Sequence, residues 1–216
     1  MAKMSTTVRL ETALYELYKH GGLQTEYHVQ NAAILMAAFA KALNYRLGYN
    51  IDIFEAFYAG LLHDVGKLFV SASDLASTAG LNKEKYDRIK RHVVAGNGVI
   101  QNLDIPENYK KAACEAAGFH HANYKGGGYC ISDYNGDVVH PVRSAIPLFG
   151  RLCRIADTFE AMTNNRSYQE GRSINETIEA MKGHIIENGA YDPLLFKVFV
   201  DYVVPQVSKL PLKKLA

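Results

Sequence analysis

IDIFEAFYAGLLHDVGK, residues 51–67, places Phe54, Phe57, Tyr58, Leu61 and Leu62 three and four residues apart. That is the period of a helix with one buried face, and the pattern stops near Gly66. His63 and Asp64 fall at its end. On a regular helix adjacent residues point about 100° apart, from the 3.6-residue repeat. With Gly66 ending the helix, both side chains can turn toward one centre. An imidazole beside a carboxylate offers a nitrogen ligand for one cation and an oxygen able to bridge two. Lys67 follows directly, placed to reach an anion held there.

The helical period extends outward in both directions. Residues 8–19 read as a first helix closed by Gly21 and Gly22, and a longer one runs from Thr25 to about Leu47. Leu35, Met36, Phe39 and Leu43 form the buried stripe of the longer helix. Asn82 suits the N-cap of a helix from Lys83 to about Ile100, and Pro106 opens another that ends before His120. Helical spacing resumes over 147–163, with Leu148, Leu152, Ile155, Phe159 and Met162 on one face. Two more helices are expected over 173–187 and 191–204. Between Tyr124 and Val142, glycines and the turn signal YNGD predict an irregular excursion, with a small hairpin or loop insertion around 130–142. The expectation is an all-α, single-domain helical bundle. It divides into an N-terminal helix within 1–24, a main domain over 25–204 and a C-terminal tail over 205–216.

Composition narrows the function classes. The chain has 216 residues, of which 48% are hydrophobic, enough for a sizeable core. A net charge of +2 gives no ground for binding a nucleic-acid polymer. The basic stretches 83–92 and 209–216 read as a solvated helix face and a soluble tail. Three cysteines, with no CxxC pair, argue against a disulfide framework and against a cysteine zinc site. They fit a reducing compartment. Charged Arg9, Glu11 and Glu16 interrupt the N-terminus where a signal peptide needs an apolar core. The longest apolar-leaning run, 27–40, falls short of the ~18 residues of a membrane span. A cytoplasmic location is expected, with no membrane partner.

Eight histidines are spread along the chain. His28 shares a helix face with Ala32 and Leu35, and an imidazole on an inward stripe needs a polar partner or a metal. His92 lies between Ile89 and Gly96, also facing inward. His120 and His121 sit just beyond a helix end, where neighbouring side chains can converge. His20 is expected to cap the first helix, and His184 lies outside every motif. For Asp157 two readings stand open: a carboxylate in a cavity, or a surface salt bridge to Arg154, the better choice when the residue is taken alone.

The ordered set LLHDVGK, HHANYKGGGYC and RIADTFEAMTNNRSY, with a helical histidine upstream, resembles the HD superfamily of metal-dependent phosphohydrolases. The finer resemblance is to its HD-GYP family, over about Thr25 to Met181. His63, Asp64, Gly66 and Lys67 match the motif HDxGK. HHANYKGGGYC, residues 120–130, aligns without gaps on HHExxDGxGYP. ADTFEAMTNNRSY supplies Asp157, Arg166 and Tyr168 of a third motif.

The resemblance implies that 25–204 is a catalytic domain with His28, His63, Asp64, His92, His120, His121 and Asp157 as metal ligands. It implies two divalent ions, iron or manganese, and hydrolysis of a cyclic dinucleotide, first of all cyclic di-GMP, by attack of a metal-bridging hydroxide on phosphorus. Asp64 would bridge the ions, Lys67 and Arg166 would neutralise phosphate, and Tyr168 would join them in substrate binding. Departures fall mostly in one place. Ala122, Lys125 and Cys130 stand where the family has Glu, Asp and Pro, and Ser167 replaces the Pro between Arg166 and Tyr168. Gln24 occupies the position from which some members hold a third ion. The segment 131–145, carrying Asp133, Asp137 and His140, is longer than the family's usual connection by about eight residues, a candidate lid.

Two alternatives accompany this expectation. The chain could hydrolyse another nucleotide or phosphate ester, because loops set specificity on a fixed scaffold. Or it could be a catalytically silent binding module, with a protein partner at the 124–142 loop. About 24 residues precede the first motif, too few for a receiver domain, so regulation is expected from partners, metal supply or homo-oligomerisation.

Overall fold

The computed structural model describes residues 8–75, 82–134, 140–164 and 171–213. Helix α1 spans Leu10–Leu47 and α2 spans Ile53–Leu62. A 3-10 turn, Val65–Phe69, and the short α3, Ala72–Leu75, follow. Then come α4 (Lys83–Lys90), α5 (His92–Gln101) and α6 (Glu107–Phe119). After two 3-10 turns, at Ile131–Asp133 and Arg143–Ala145, α7 covers Leu148–Thr163, α8 Ile174–Asn188 and α9 Pro193–Val198. Among the described residues there is no strand, only the isolated bridges Val8–Leu103 and Ala122–Gly128. The all-α expectation holds.

Local chemistry sets most boundaries. Asp52 caps α2 by accepting from Phe54 N at 2.7 Å, and Asn82 caps α4 by accepting from Lys85 N at 2.9 Å. Ser173 and Glu176 form a reciprocal capping box at the start of α8. Four details differ from the sequence reading. The first two helices are continuous except at Gly22, whose φ of 68° and ψ of −173° break the run, a geometry glycine adopts without a Cβ penalty. The single helix expected over 83–100 divides at Arg91. The helix of the opening stretch ends at Leu62, before Gly66, which lies inside the following 3-10 turn. His20 does not cap a helix; its Nε2 lies 2.8 Å from the Val70 carbonyl oxygen.

The expected hairpin lies in part outside the described residues, at 135–139; the flanking residues are turns rather than paired strands.

The core sits around the C-terminal half of α1. Leu35, Met36, Phe39, Ala40 and Leu43 are fully buried against α2, α7 and the C-terminal helices. Phe39 and Phe159 each meet the Phe199 ring edge-on, at 5.1 and 5.2 Å between centroids. The end of the chain returns to this core. Lys213 N donates to Asn31 Oδ1 at 2.7 Å, and Asn31 Nδ2 donates to the Lys213 carbonyl at 2.8 Å. No helix of the described residues is long and apolar enough to cross a membrane.

Candidate metal centre

Five helices bring the inward histidines and two aspartates together. His28 comes from α1, His63 and Asp64 from the end of α2, His92 from the start of α5, His120 and His121 from the end of α6, and Asp157 from α7. His28, His63, Asp64, His92 and His120 are all buried. Asp64 leaves helical geometry, with φ −105° and ψ 7°, and this turns its carboxylate back beside His63.

Gly66 permits the close approach of α5, because a Cβ there would lie 1.9 Å from the His92 carbonyl oxygen and 2.5 Å from Gly96 N. The glycine therefore governs packing between two ligand-bearing elements rather than the end of a helix.

Four of the five imidazoles are aimed by an outer nitrogen. His63 Nδ1 lies 2.7 Å from the Gly60 carbonyl, His92 Nδ1 2.7 Å from that of Ile89, and His120 Nδ1 2.9 Å from that of Ala116. A carbonyl can only accept, so Nδ1 carries the proton in all three and Nε2 presents its lone pair inward. His28 Nδ1 instead donates to Glu160 Oε2. Glu160 is itself 2% exposed and accepts from Asn31 Nδ2 at 3.1 Å and Asn164 Nδ2 at 2.9 Å.

Sequence reasoning missed Glu160 as an outer partner. The available signal was a carboxylate three residues after Asp157, beside the buried stripe of α7.

Asp64 stands between two groups of ligand atoms. Its Oδ2 lies 3.4 Å from His28 Nε2 and 3.3 Å from His63 Nε2. Its Oδ1 lies 3.5 Å from His92 Nε2 and 3.6 Å from His120 Nε2. Asp157 Oδ1 completes the first side, 3.2 Å from His28 Nε2 and 3.8 Å from His63 Nε2. His121 joins the second, its ring centroid 4.0 Å from that of His120.

The salt bridge of Asp157 to Arg154 does not form. Asp157 pairs with the two histidines, and Arg154 Nη2 donates to Asn123 Oδ1 at 3.2 Å. Lys67 donates to Asp64 Oδ2 and keeps a quarter of its side chain exposed, at the mouth of the site. Arg166 and Tyr168 lie outside the described residues.

The residues present fit divalent ions. His63 Nε2 and Asp64 Oδ1 are buried without a hydrogen-bond partner among the described residues, which is costly unless something else engages them. Two sets, Asp64–His92–His120–His121 and His28–His63–Asp157, each bring their ligand atoms within 4.8 Å of one another. Nitrogen and oxygen donors of this kind suit manganese, iron or zinc.

Protonation follows the same division. Burial pushes His92 down to about 3 and lowers His120 and His121 as well, so these imidazoles are neutral and ready to coordinate. Burial alone would raise Asp64, but Lys67, His63, His120 and His28 outweigh it and hold the carboxyl well below its usual range. Burial likewise would lower His28, but Glu160, Asp157 and Asp64 outweigh it and raise the imidazole well above its usual value. A cation taking the His28 Nε2 position therefore displaces a proton.

HHANYKGGGYC forms the other wall. Gly126, Gly127 and Gly128 have φ of 107°, 84° and 72°, the region L side chains resist. Tyr124 N and Lys125 N donate to the carbonyls of Ala190 and Gly189 at 3.2 and 3.0 Å, fastening the loop to the end of α8. The Tyr129 ring stacks on His121, with centroids 4.5 Å apart.

Comparison with known proteins shows the family of the chain. A family model described as "HD domain" matches residues 22–195. The chain is 33% identical over 177 residues to 3'3'-cGAMP-specific phosphodiesterase 1 of Vibrio cholerae, covering 82% of this chain and 37% of that protein. It is 30% identical over 149 residues to a cyclic di-GMP phosphodiesterase of Pseudomonas aeruginosa, covering 69% and 33%. The chain thus spans well under half the length of these curated relatives. In three dimensions it resembles the crystal structure of the HD domain of the L. monocytogenes phosphodiesterase PgpH in complex with cyclic-di-AMP. The TM-score is 0.56 at 16% identity, over 95% of this chain and 99% of that one. With the match covering most of the chain, the chain belongs to the HD-domain family, with the motif order of the HD-GYP type.

Proposed function

We propose that the chain is a metal-dependent phosphodiesterase that hydrolyses a cyclic dinucleotide by attack of water on phosphorus. The observation that carries this reading is Asp64, which offers one oxygen to each of two His-rich sets while its Oδ1 and His63 Nε2 have no hydrogen-bond partner among the described residues. In this reading residues 25–204 form the catalytic domain and the protein works in the cytoplasm. His28, His63 and Asp157 would hold one ion, His92, His120 and His121 the other, with Asp64 shared between them. Iron or manganese suits such donors. Bound there, the ions supply Lewis-acid polarisation of the phosphate and acidify the attacking water.

The protein's own groups do the rest. Glu160 and the helical carbonyls hold the imidazoles at fixed tautomers, so that little reorganisation is needed on binding. Lys67 pairs with Asp64 and, partly exposed, would meet a phosphate oxygen. Arg166 and Tyr168 are proposed to contact the substrate alongside it. Tyr129 offers an aromatic face beside His121 for a base. The 124–142 loop is the proposed contact for a protein partner, in a chain that could also self-associate.

Cyclic di-GMP is the first candidate substrate. The relatives named for 3'3'-cGAMP favour a second, of the same chemical class. Incubating manganese-loaded protein, or anaerobic iron-loaded protein, with both dinucleotides and simple phosphate esters separates the readings. Linear dinucleotide or mononucleotide products, lost in Asp64→Asn, are expected. Cleavage of no phosphodiester, or cleavage indifferent to Asp64→Asn, contradicts the proposal.

A further inference from the structure

A third group of metal-ligating side chains stands outside the centre. Cys130, Asp133 and His140 each bring one ligand atom, all within 4.8 Å of one another. Cys130 Sγ lies 3.8 Å from His140 Nδ1, and Asp133 Oδ1 lies 3.0 Å from the same nitrogen. Cys130 is fully buried, whereas the Asp133 and His140 side chains are 35% and 24% exposed, so the group opens to solvent on one side. Asp133 Oδ2 is already engaged, accepting from Cys130 N at 2.9 Å, which fixes the carboxylate with Oδ1 toward the other two.

The distances suit a small tetrahedral ion. Zinc bonds of about 2.3 Å to sulfur and about 2.0–2.2 Å to nitrogen and oxygen set the edges of the tetrahedron. They come to about 3.6 Å for sulfur to nitrogen and about 3.3 Å for nitrogen to oxygen. The observed 3.8 and 3.0 Å lie close to both. A proton relay of thiol, imidazole and carboxylate would need sulfur and oxygen on opposite ring nitrogens. Here both face Nδ1, so the arrangement suits one shared cation better than a relay. The cluster also joins two departures from the motif that HHANYKGGGYC resembles. Cys130 replaces the final proline, and the longer 131–145 connection supplies Asp133 and His140. The lack of a CxxC pair argued against a cysteine zinc site, but a single thiolate with one nitrogen and one oxygen ligand needs no such pair.

We propose that Cys130, Asp133 and His140 bind one zinc-like divalent cation, separate from the buried centre, with the fourth position open to solvent. The ion ties Asp133 and His140 to Cys130, on the wall of the active site. It acts next to Tyr129, whose ring stacks on His121.

Cobalt(II) titration of metal-free, full-length protein tests this, because a thiolate ligand produces a near-ultraviolet charge-transfer band. The buried centre, with only nitrogen and oxygen ligands, produces none. The expected result is a band whose final amplitude corresponds to one thiolate-bound cobalt per chain, which disappears on adding zinc and is absent in Cys130→Ser. His140→Ala, at a partly exposed position, should weaken cobalt binding at this band by about tenfold or more. The proposal is overturned if the wild-type protein shows no band, if the band persists in Cys130→Ser, if it is lost instead in Cys153→Ser, or if His140→Ala titrates like the wild type.

Discussion

The two walls of the site are built by different means. On one side His28, His63, His92 and His120 rise from helices, each imidazole held through Nδ1 by a carbonyl or by Glu160. On the other, residues 122–130 form a glycine-rich turn tied to the end of α8 by backbone hydrogen bonds. The helical wall fixes ligand atoms; the loop wall offers Lys125, Tyr129 and exposed backbone. Chemistry that needs metal ions at fixed positions belongs on the first, and recognition that varies among relatives belongs on the second. The departures from the HD-GYP pattern at Ala122, Lys125 and Cys130 all fall on the loop wall.

On this division, damage to the helical wall costs metal and turnover, and damage to the loop wall costs selectivity. Glu160→Gln should have the largest effect, weakening retained metal and lowering turnover by about 10–100-fold through loss of the charge that orients His28. Elemental analysis after dialysis against a chelator, alongside kcat, measures both. Gly66→Ala comes next. Its new Cβ meets the His92 carbonyl, so α5 must shift at a cost of about 1–3 kcal/mol, read as a lower unfolding midpoint together with lost metal.

Lys125→Asp, on the exposed loop, should change KM and the ranking of cyclic dinucleotides by less than about tenfold, leaving metal content as in the wild type. Equal losses of metal from the two walls would break the comparison.

The smallest effect is expected far from the site, at Asp74. Arg88 donates to its two oxygens at 2.8 and 2.9 Å and lowers the carboxyl to about 2. The folded value lies below the unfolded one of about 3.9, so the pair's contribution is fully present above about pH 4. It is lost as pH falls through about 2. Asp74→Asn should therefore flatten acid unfolding in that window while leaving midpoints near pH 7 little changed beyond the loss of a half-exposed ion pair.

The helical pattern was readable because apolar spacing and caps are local: Asn82, Pro106 and the stripe of α1 each act within a few residues of themselves. The inward direction of His28 and His92 was readable for the same reason. What escaped depends on contacts between distant segments. Glu160 reaches His28 across 132 positions, and Lys213 reaches Asn31 across 182, so neither pairing leaves a periodic trace. Asp157 taken alone favoured Arg154, its helical neighbour; burial among histidines from other elements reversed that choice. From the sequence Gly66 reads as a helix terminator, because a glycine after an apolar run commonly is one. Its actual constraint is α5, a neighbour invisible in the local sequence.

The central claim is that Asp64 joins two ion sites. Crystals of the manganese-loaded protein, measured for anomalous scattering, test it most directly. The account predicts two peaks flanking the Asp64 carboxylate, one against His28, His63 and Asp157 and one against His92, His120 and His121. A single peak, or none at Asp64 with manganese bound elsewhere, would contradict it.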